Sequence, residues 1–173
     1  MAQINRPSTS EHAPYYSRYI DLVPEGNILR ILEAQNEETI RTLSGLTEEK
    51  ALFRYAPGKW SVKEVVGHVI DTERVFGFRA FAFSRGDKNA FPGMEQNEYA
   101  QGANYEERSL REILDEFAEV RKGNLRFFRT LNESMLTRVG KASGFEFTVR
   151  STIYIIAGHE LHHASVLRDR YLK

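Results

Sequence analysis

Residues 61–86 read Ser61-Val-Lys-Glu-Val-Val-Gly-His-Val-Ile-Asp-Thr-Glu-Arg-Val-Phe-Gly-Phe-Arg-Ala-Phe-Ala-Phe-Ser-Arg-Gly86 and carry the periodicity of a long helix. The segment opens on a capping box, in which Ser61 and Glu64 each accept a hydrogen bond from a backbone amide that the first turn leaves free. Gly86 can adopt the left-handed conformation that ends a helix. The pattern therefore predicts one helix that begins near Ser61 and ends near Gly86.

Three further segments show the same periodicity. They run from about residue 27 to 43, from a second capping box (Ser109 to Glu112) through Phe128, and from about 148 to 171. Strand signals are weak, although residues 145–147 could form a short piece of extended chain. Four helices with polar connections predict an all-α, four-helix bundle.

The connection between the second and third helices, residues 87–108, is long for a compact domain. Its aromatic and apolar content argues against disorder. Two compatible interpretations are a strap packed over one end of the bundle and a wall of a substrate pocket. The polar residues 1–14 predict a flexible N-terminal tail, which leaves residues 15–173 as a single metal-binding bundle domain.

Composition narrows the classes of function. The chain has 173 residues, no cysteine, and 24 basic side chains against 24 acidic ones. A net charge of zero provides no electrostatic attraction for nucleic acid or an anionic membrane. Without thiolates, a transition metal would be held by His, Asp or Glu, which suits zinc, nickel, iron or manganese. Neither a signal peptide nor a long apolar span is visible, so we expect a cytoplasmic protein.

Residues 159–163 read His159-Glu-Leu-His-His163, which matches the His-Glu-x-x-His motif of zinc peptidases. On a helix, His159 and His163 leave the same face one turn apart. A peptidase needs a third ligand downstream, yet only ten residues follow, and the positions that would extend the motif hold Val166 and Asp169. The peptidase interpretation also needs a sheet that the sequence does not predict. It is therefore disfavoured.

A third ligand upstream fits better. His68 shares a helix face with Val65, Thr72, Phe76 and Arg79, and this mostly apolar face would turn toward the bundle interior. Three inward histidines from two helices match a catalytic zinc site, which keeps one open position. A core histidine that hydrogen-bonds a carbonyl group is the alternative for His68 alone.

Two further polar candidates, Glu160 and Asp71, keep three interpretations each. Glu160 directly follows His159 and is a possible general base, or else a support for a ligand or the salt-bridge partner of an arginine. Asp71 is a possible proton shuttle or a carboxylate that orients a ligand imidazole, or else a solvated helix residue. His162, at the edge of the ligand face, and His12, in the tail, are expected to be bystanders.

Three passages of this chain belong together: Tyr55-Ala-Pro-Gly-Lys-Trp60-Ser-Val-Lys-Glu-Val-Val-Gly-His68-Val-Ile-Asp71-Thr-Glu73-Arg74, Ala82-Phe-Ser-Arg85-Gly-Asp87 and Ile156-Ala-Gly-His159-Glu-Leu-His162-His163. They resemble the DinB superfamily, in particular its YfiT-like branch of metal-dependent hydrolases, and the resemblance extends from Tyr15 to Tyr171. It implies a four-helix bundle with one divalent metal, usually zinc or nickel, held by three histidines that here are His68, His159 and His163.

The same resemblance leaves the reaction open, since some relatives are thiol transferases and others are called hydrolases. We expect a metal-dependent enzyme that activates a small-molecule thiol or water, in thiol transfer, detoxification or hydrolysis. The competing hypothesis is a non-catalytic stress or interaction protein whose metal staples the second and fourth helices together. Many relatives are dimers, and the last helix is apolar on both sides, so a homodimer is also expected.

Overall fold

Four long helices form the body of the protein, whose computed structural model describes residues 3–173. They are α1 (Ile28–Leu43), α2 (Val62–Ser84), α3 (Leu110–Phe128) and α4 (Val149–Val166), and α4 continues into a π-helical turn, Leu167–Tyr171. The predicted all-α bundle is confirmed, and the helix bounds agree with the sequence to within a few residues.

The helices begin where their capping residues stand. The Ser61 hydroxyl accepts a hydrogen bond from the Glu64 amide, and the Glu64 carboxylate accepts one from the Ser61 amide. Ser109 and Glu112 form the same reciprocal pair at the start of α3. Thr148 caps α4 through its hydroxyl group. Each cap satisfies amides that the first helical turn leaves free, which explains why these boundaries are readable locally.

The core consists of two apolar clusters at opposite ends of the bundle. One contains Phe83, Phe128 and Ile153, and the other contains Ile70 and Phe117. Between them the long helices contribute a layer of buried polar side chains: Asn36 from α1, His68, Thr72 and Glu73 from α2, Arg121 from α3, and His159 and Glu160 from α4. The candidate site is part of this layer.

A small sheet accompanies the bundle. Its strands β1 (Ala90–Phe91), β2 (Val139–Ala142) and β3 (Phe145–Thr148) lie in the order β1-β2-β3, with β1 parallel and β3 antiparallel to β2. The β2–β3 hairpin turns through Ser143 and Gly144, which both have positive φ angles, as such two-residue turns require. The sequence indicated only the extended chain at 145–147, because β1 and β2 are too short to show alternation.

The connection between α2 and α3 packs as a strap. It contains β1, a short helix (Gln96–Gly102) and a 3-10 turn (Tyr105–Glu107). The Tyr105 ring is buried against Gly67 of α2, where an added Cβ would come within 2.3 Å of the ring. The connection is therefore packed, but it runs along α2, from Phe91 beside Phe83 to Tyr105 beside Gly67, and not over one end of the bundle as expected. Its pocket-wall role is described with the site.

The N-terminal segment is packed on the bundle, contrary to the expectation of a flexible tail over residues 1–14. Residues 3–14 do not lie free as a flexible tail: Ile4 is buried, and its carbonyl oxygen accepts a hydrogen bond from Tyr154 of α4. The Glu11 carboxylate accepts hydrogen bonds from Arg150 and Thr148 at the start of α4. The polar composition of this segment concealed one apolar anchor, Ile4, and one partly buried ion pair, Glu11–Arg150. Residues 1 and 2 lie outside the described part, and the single domain over residues 15–173 stays a prediction.

Within residues 3–173, no helix combines the length and the apolar character needed to cross a membrane.

Replacing Glu11 with glutamine tests whether this segment contributes to stability. Burial raises the pKa of the Glu11 carboxyl, but hydrogen bonds from Arg150 and from the Ser8 amide outweigh that effect and hold the pKa at about 2, below its ordinary 4.5. At pH 7 we expect Glu11→Gln to lower the free energy of unfolding by about 2 kcal/mol, because charge-assisted hydrogen bonds are lost.

The stabilisation that the Glu11 carboxylate provides should depend on pH. A depressed pKa stabilises the fold above pH 4.5, and this contribution is lost as the pH falls from 4.5 through about 2. Denaturation curves of wild type and Glu11→Gln should converge in that range. Glu133→Gln is the matched control, because Glu133 is an exposed neighbour of the same Arg150 at 4.0 Å. A Glu11→Gln protein as stable as this control would contradict the prediction.

Candidate metal centre

Three histidine rings meet between α2 and α4. His68 comes from α2, and His159 and His163 come from successive turns of α4. The His159 Nε2 atom lies 3.0 Å from His68 Nε2 and 3.2 Å from His163 Nε2, and one ligand atom of each histidine lies within 4.8 Å of the others. The structure thus brings together the three histidines that the sequence singled out.

The spacing of these nitrogens suits a shared cation better than hydrogen bonds alone. A neutral imidazole nitrogen offers either one hydrogen or one lone pair, so His159 Nε2 cannot bond well to both neighbours at once. In a tetrahedral zinc site with Zn–N bonds of about 2.0–2.1 Å, ligand nitrogens are about 3.3 Å apart. The observed separations of 3.0 and 3.2 Å are close to that value. The residues present therefore fit a divalent metal ion.

Neighbouring aromatic rings hold the imidazoles in place. The Trp60 ring centroid lies 4.8 Å from that of His68, and the Tyr19 ring lies 5.4 Å from both His159 and His162. Tyr19 can come this close because position 158 is glycine: an added Cβ there would lie 2.0 Å from the Tyr19 carbonyl oxygen. The close approach of the N-terminal segment to α4 thus helps to fix the ligand face.

Burial keeps the three imidazoles neutral. Loss of solvent, followed by the nearby His162, lowers the pKa of His68 to about 4. Burial and then His68 lower the pKa of His163 to about 3. Burial and then His163 hold the pKa of His159 well below its usual range. At neutral pH each ring therefore keeps the lone pair that a metal ion requires.

The hydrogen bonds that usually orient metal-ligating imidazoles are incomplete in this cluster. Among the described residues, His163 Nδ1 is buried without a hydrogen-bond partner, although metal-ligating histidines usually donate this second N–H group to an acceptor. His162 is only partly buried and lies beside the cluster against Tyr19. His12 is buried at the N-terminal segment, where its Nδ1 contacts the Ala13 carbonyl oxygen. Neither His162 nor His12 belongs to the group of converging ligand atoms.

A cavity of about 370 Å³ lies beside the histidines. Its walls come from α2, from the tyrosines of the N-terminal segment and from the connection between α2 and α3, which therefore serves as a pocket wall as well as a strap. The lining residues are Tyr15, Tyr16, Tyr19, His68, Thr72, Phe76, Arg79, residues 93–97, Ser143 and His159. The volume suits a small molecule.

Glu160 belongs to a different set of contacts. Its carboxylate accepts hydrogen bonds from Arg121 Nη2 at 2.9 Å, from the Thr39 hydroxyl at 2.8 Å and from the Gln35 amide nitrogen. It is buried and does not line the cavity. Of the roles considered from the sequence, these contacts match the salt-bridge partner of an arginine.

Asp71 also points away from the histidines. Its Oδ1 accepts a hydrogen bond of 2.8 Å from the Tyr105 hydroxyl, and Arg74 lies 3.9 Å away. Burial raises the pKa of Asp71, and the Tyr105 hydrogen bond opposes this. Asp71 makes no hydrogen bond to an imidazole in the part of the chain that the structure describes, so its observed role is to attach α2 to the strap.

Arg121 and Glu73 are central residues to which the sequence analysis assigned no role, although Glu73 stands in the first passage that resembles the family. Arg121 Nε and Nη2 donate to the two Glu73 oxygens at 2.8 Å each, and Nη1 donates to the Leu32 carbonyl oxygen of α1. Although burial alone would lower it, the pKa of Arg121 is raised by Glu73 and then Glu160. The available signal was position: Arg121 lies four residues from both Phe117 and Leu125, on the apolar stripe of α3.

Comparisons with known proteins agree with this fold. A family model described as the DinB superfamily matches residues 31–167. YfiT from Bacillus subtilis, described as a probable metal-dependent hydrolase with an unusual four-helix bundle topology, is similar with a TM-score of 0.73 and 15% identity, over 95% of this chain and 90% of that one.

The mycothiol-dependent maleylpyruvate isomerase is similar with a TM-score of 0.68 and 14% identity. The match covers 85% of this chain and 61% of the isomerase. No curated protein matches the sequence. At these identities the two structures show a shared fold.

Glu160→Gln tests whether the Glu160 carboxylate has a structural role. Because the substitution removes one charge from a buried ion pair, we expect the free energy of unfolding to fall by about 2–3 kcal/mol at pH 7, measured by chemical denaturation. Glu119→Gln is the control, since Glu119 is exposed and pairs with Lys122 at 3.4 Å on the surface of α3; there we expect a loss below about 0.5 kcal/mol. Equal stability of the two variants would contradict a structural role.

Proposed function

The chain belongs to the DinB superfamily, and we propose that it binds one divalent metal ion through His68, His159 and His163 and uses it to activate a small-molecule thiol or water. The observation that carries this proposal is the convergence of three neutral imidazole nitrogens beside a cavity, which the rings of His68 and His159 line. Three protein ligands leave one coordination position for a substrate or water.

The ligand set narrows the choice of metal. Imidazole nitrogens suit zinc and nickel, whereas magnesium, calcium and manganese prefer carboxylate and carbonyl oxygens. No carboxylate belongs to the converging group within residues 3–173. We therefore propose zinc or nickel as the occupant, with iron or manganese as less suitable alternatives.

A divalent metal at this position would supply a Lewis acid that lowers the pKa of a bound thiol or water toward neutrality. The chain's own residues hold and surround the substrate. The hydroxyl groups of Tyr15 and Tyr19 lie 3.2 Å apart, and both tyrosines line the cavity, where they provide polar groups for a substrate. The strap residues 93–97 form a further part of the cavity wall.

The acid–base groups at the cavity favour thiol transfer over hydrolysis. A hydrolase benefits from a general base beside the metal-bound water. Glu160 and Asp71 are both engaged elsewhere, and the only carboxylate that lines the cavity among the described residues is the exposed Glu95. A thiol needs no such base once its pKa is lowered. The similar isomerase is mycothiol-dependent by its description, which supports the same class.

The alternative of a purely structural metal, which would staple α2 to α4, has less support. Structural zinc sites are normally closed by four protein ligands, and only three converge here among the described residues. A metal ion that only joined α2 to α4 would not need the adjoining cavity. The cytoplasmic location stays a prediction.

The homodimer also stays a prediction, on changed grounds. The first part of the apolar back of α4 is covered within the monomer, where Ile4 and Tyr19 of the N-terminal segment contact it, whereas Leu161 and Ala164 are half-buried. The two-sided apolar character of α4 is therefore largely explained within the monomer. Exposed Phe78 and Phe81 on α2 are the alternative candidates for an interface.

Metal analysis provides the first test. We expect about one zinc or nickel ion per chain in purified protein, and its loss in His159→Ala because that ring contacts both other ligands. His162→Ala is the matched control, since it removes the neighbouring imidazole that lies outside the converging group. Elemental analysis measures both. A wild-type protein that lacks metal and cannot be loaded with either ion would overturn the proposal.

A cobalt-substituted protein tests the chemistry. Addition of a small thiol such as 2-mercaptoethanol should produce the near-ultraviolet charge-transfer band of a thiolate bound to cobalt, because one position remains open. Ethanol at equal concentration is the control and should produce no such band. If chelation lowers the melting temperature while no thiol alters the spectrum, the structural staple is the better explanation.

A further inference from the structure

Arg79 is a buried cation without an acidic partner. It is 3% exposed, and its Nη2 atom donates to the Pro92 carbonyl oxygen at 2.9 Å and to the Ser143 hydroxyl at 3.5 Å. The guanidinium also lies 4.9 Å from the centroid of the Phe76 ring. In residues 3–173 no carboxylate forms an ion pair with it, whereas the other fully buried guanidinium, that of Arg121, pairs with two.

The contacts of Arg79 include no opposite charge. A guanidinium has five N–H donors, and within the described residues Nη2 donates to two neutral acceptors while the Tyr16 hydroxyl is a further neutral partner. Burial of a charge that no opposite charge compensates is costly, and burial accordingly lowers the pKa of Arg79. Because Arg79 lines the cavity, an anion that enters the cavity would supply the missing partner.

Arg79 and His68 lie on one face of α2 and line the same cavity. Eleven residues separate them, which is close to three full turns and about 16 Å along the helix axis. The Arg79 side chain folds back toward the N-terminus of α2, as its contact with Phe76 shows, so its guanidinium lies about 12 Å from the level of His68. One elongated small molecule could contact both.

We propose that Arg79 binds a carboxylate on the small-molecule thiol whose sulfur lies at the three histidines. The inference rests on the proposed function, since the histidines mark the reactive end of the cavity. A guanidinium binds a carboxylate through paired, charge-assisted hydrogen bonds. The cavity offers a single uncompensated positive charge, and Glu95 at its wall repels further negative charge, so a monoanionic carboxylate fits better than a dianionic phosphate.

The proposal is tested with thiol ligands that differ only in the group at the opposite end of their alkyl chain. Cobalt-loaded full-length protein is titrated with 8-mercaptooctanoate and with 8-mercapto-1-octanol, and affinity is measured by calorimetry while the thiolate–cobalt band is recorded. The acid should bind about tenfold more tightly than the alcohol, as expected for a charge-assisted contact. 3-Mercaptopropionate is too short to reach both ends and should show no such advantage over 3-mercapto-1-propanol.

Substitution assigns the effect to Arg79. In Arg79→Gln the acid should lose its advantage while the affinity for the alcohol and the metal content stay unchanged. Arg85→Gln is the matched control, because Arg85 closes the same helix on the surface and does not line the cavity. Equal binding of acid and alcohol to wild type overturns the proposal, as does an acid advantage that survives in Arg79→Gln. If Arg79→Gln does not fold, the comparison of acid and alcohol in wild type still tests whether the cavity prefers a carboxylate.

A pair of ligands without sulfur shows whether the carboxylate contact or the proposed thiol chemistry has failed. Octanoate and 1-octanol, titrated into wild type and Arg79→Gln, report on the carboxylate contact without thiol ligation. If no thiol alters the cobalt spectrum but octanoate binds more tightly than octanol only in wild type, the thiol chemistry is wrong and the anion site stands. If thiols ligate the metal and neither acid is preferred, the anion site is wrong and the thiol chemistry stands.

Discussion

The ion-pair network around Arg121 is the contact on which the arrangement of the bundle depends. Its guanidinium lies at the bundle centre and joins all four long helices: α3, which carries it, α1 through the Leu32 carbonyl oxygen, α2 through Glu73 and α4 through Glu160. A buried ion pair of this kind contributes less to net stability than to the choice of one arrangement, because any other packing would leave charges unpaired. Here that arrangement sets the rotation of the two helices that carry the histidines.

The coupling to the site follows from helix geometry. Glu160 directly follows His159, so the two side chains leave α4 about 100° apart. Glu73 is five residues beyond His68 and leaves α2 about 140° away from it. When Arg121 holds both carboxylates on one side, the imidazoles must turn to the other side, toward the cavity. The charged network and the histidine cluster are thus two faces of the same polar layer between the apolar clusters.

Segments outside the long helices complete the cavity. Tyr19 reaches His159 because position 158 has no side chain, and residues 93–97 also line the cavity. Neither segment has a large core of its own, and each is held by a few specific contacts, such as the Glu11–Arg150 ion pair and the Tyr105–Asp71 hydrogen bond. The walls of one cavity therefore come from parts of the chain that are far apart in sequence.

The sequence by itself determined the four helices and the three histidines, because capping boxes, apolar stripes and an i, i+4 pair are patterns within one or two helical turns. Only the tertiary structure decided what Glu160 does, that Arg121 is its partner, that residues 3–14 pack on α4, and that Arg79 lacks a counter-ion. Glu160 meets Gln35 and Thr39 across more than a hundred residues. A side chain's position on a helix wheel shows that it faces inward, but its partner depends on how neighbouring helices are rotated, and that rotation is a property of the packed bundle as a whole.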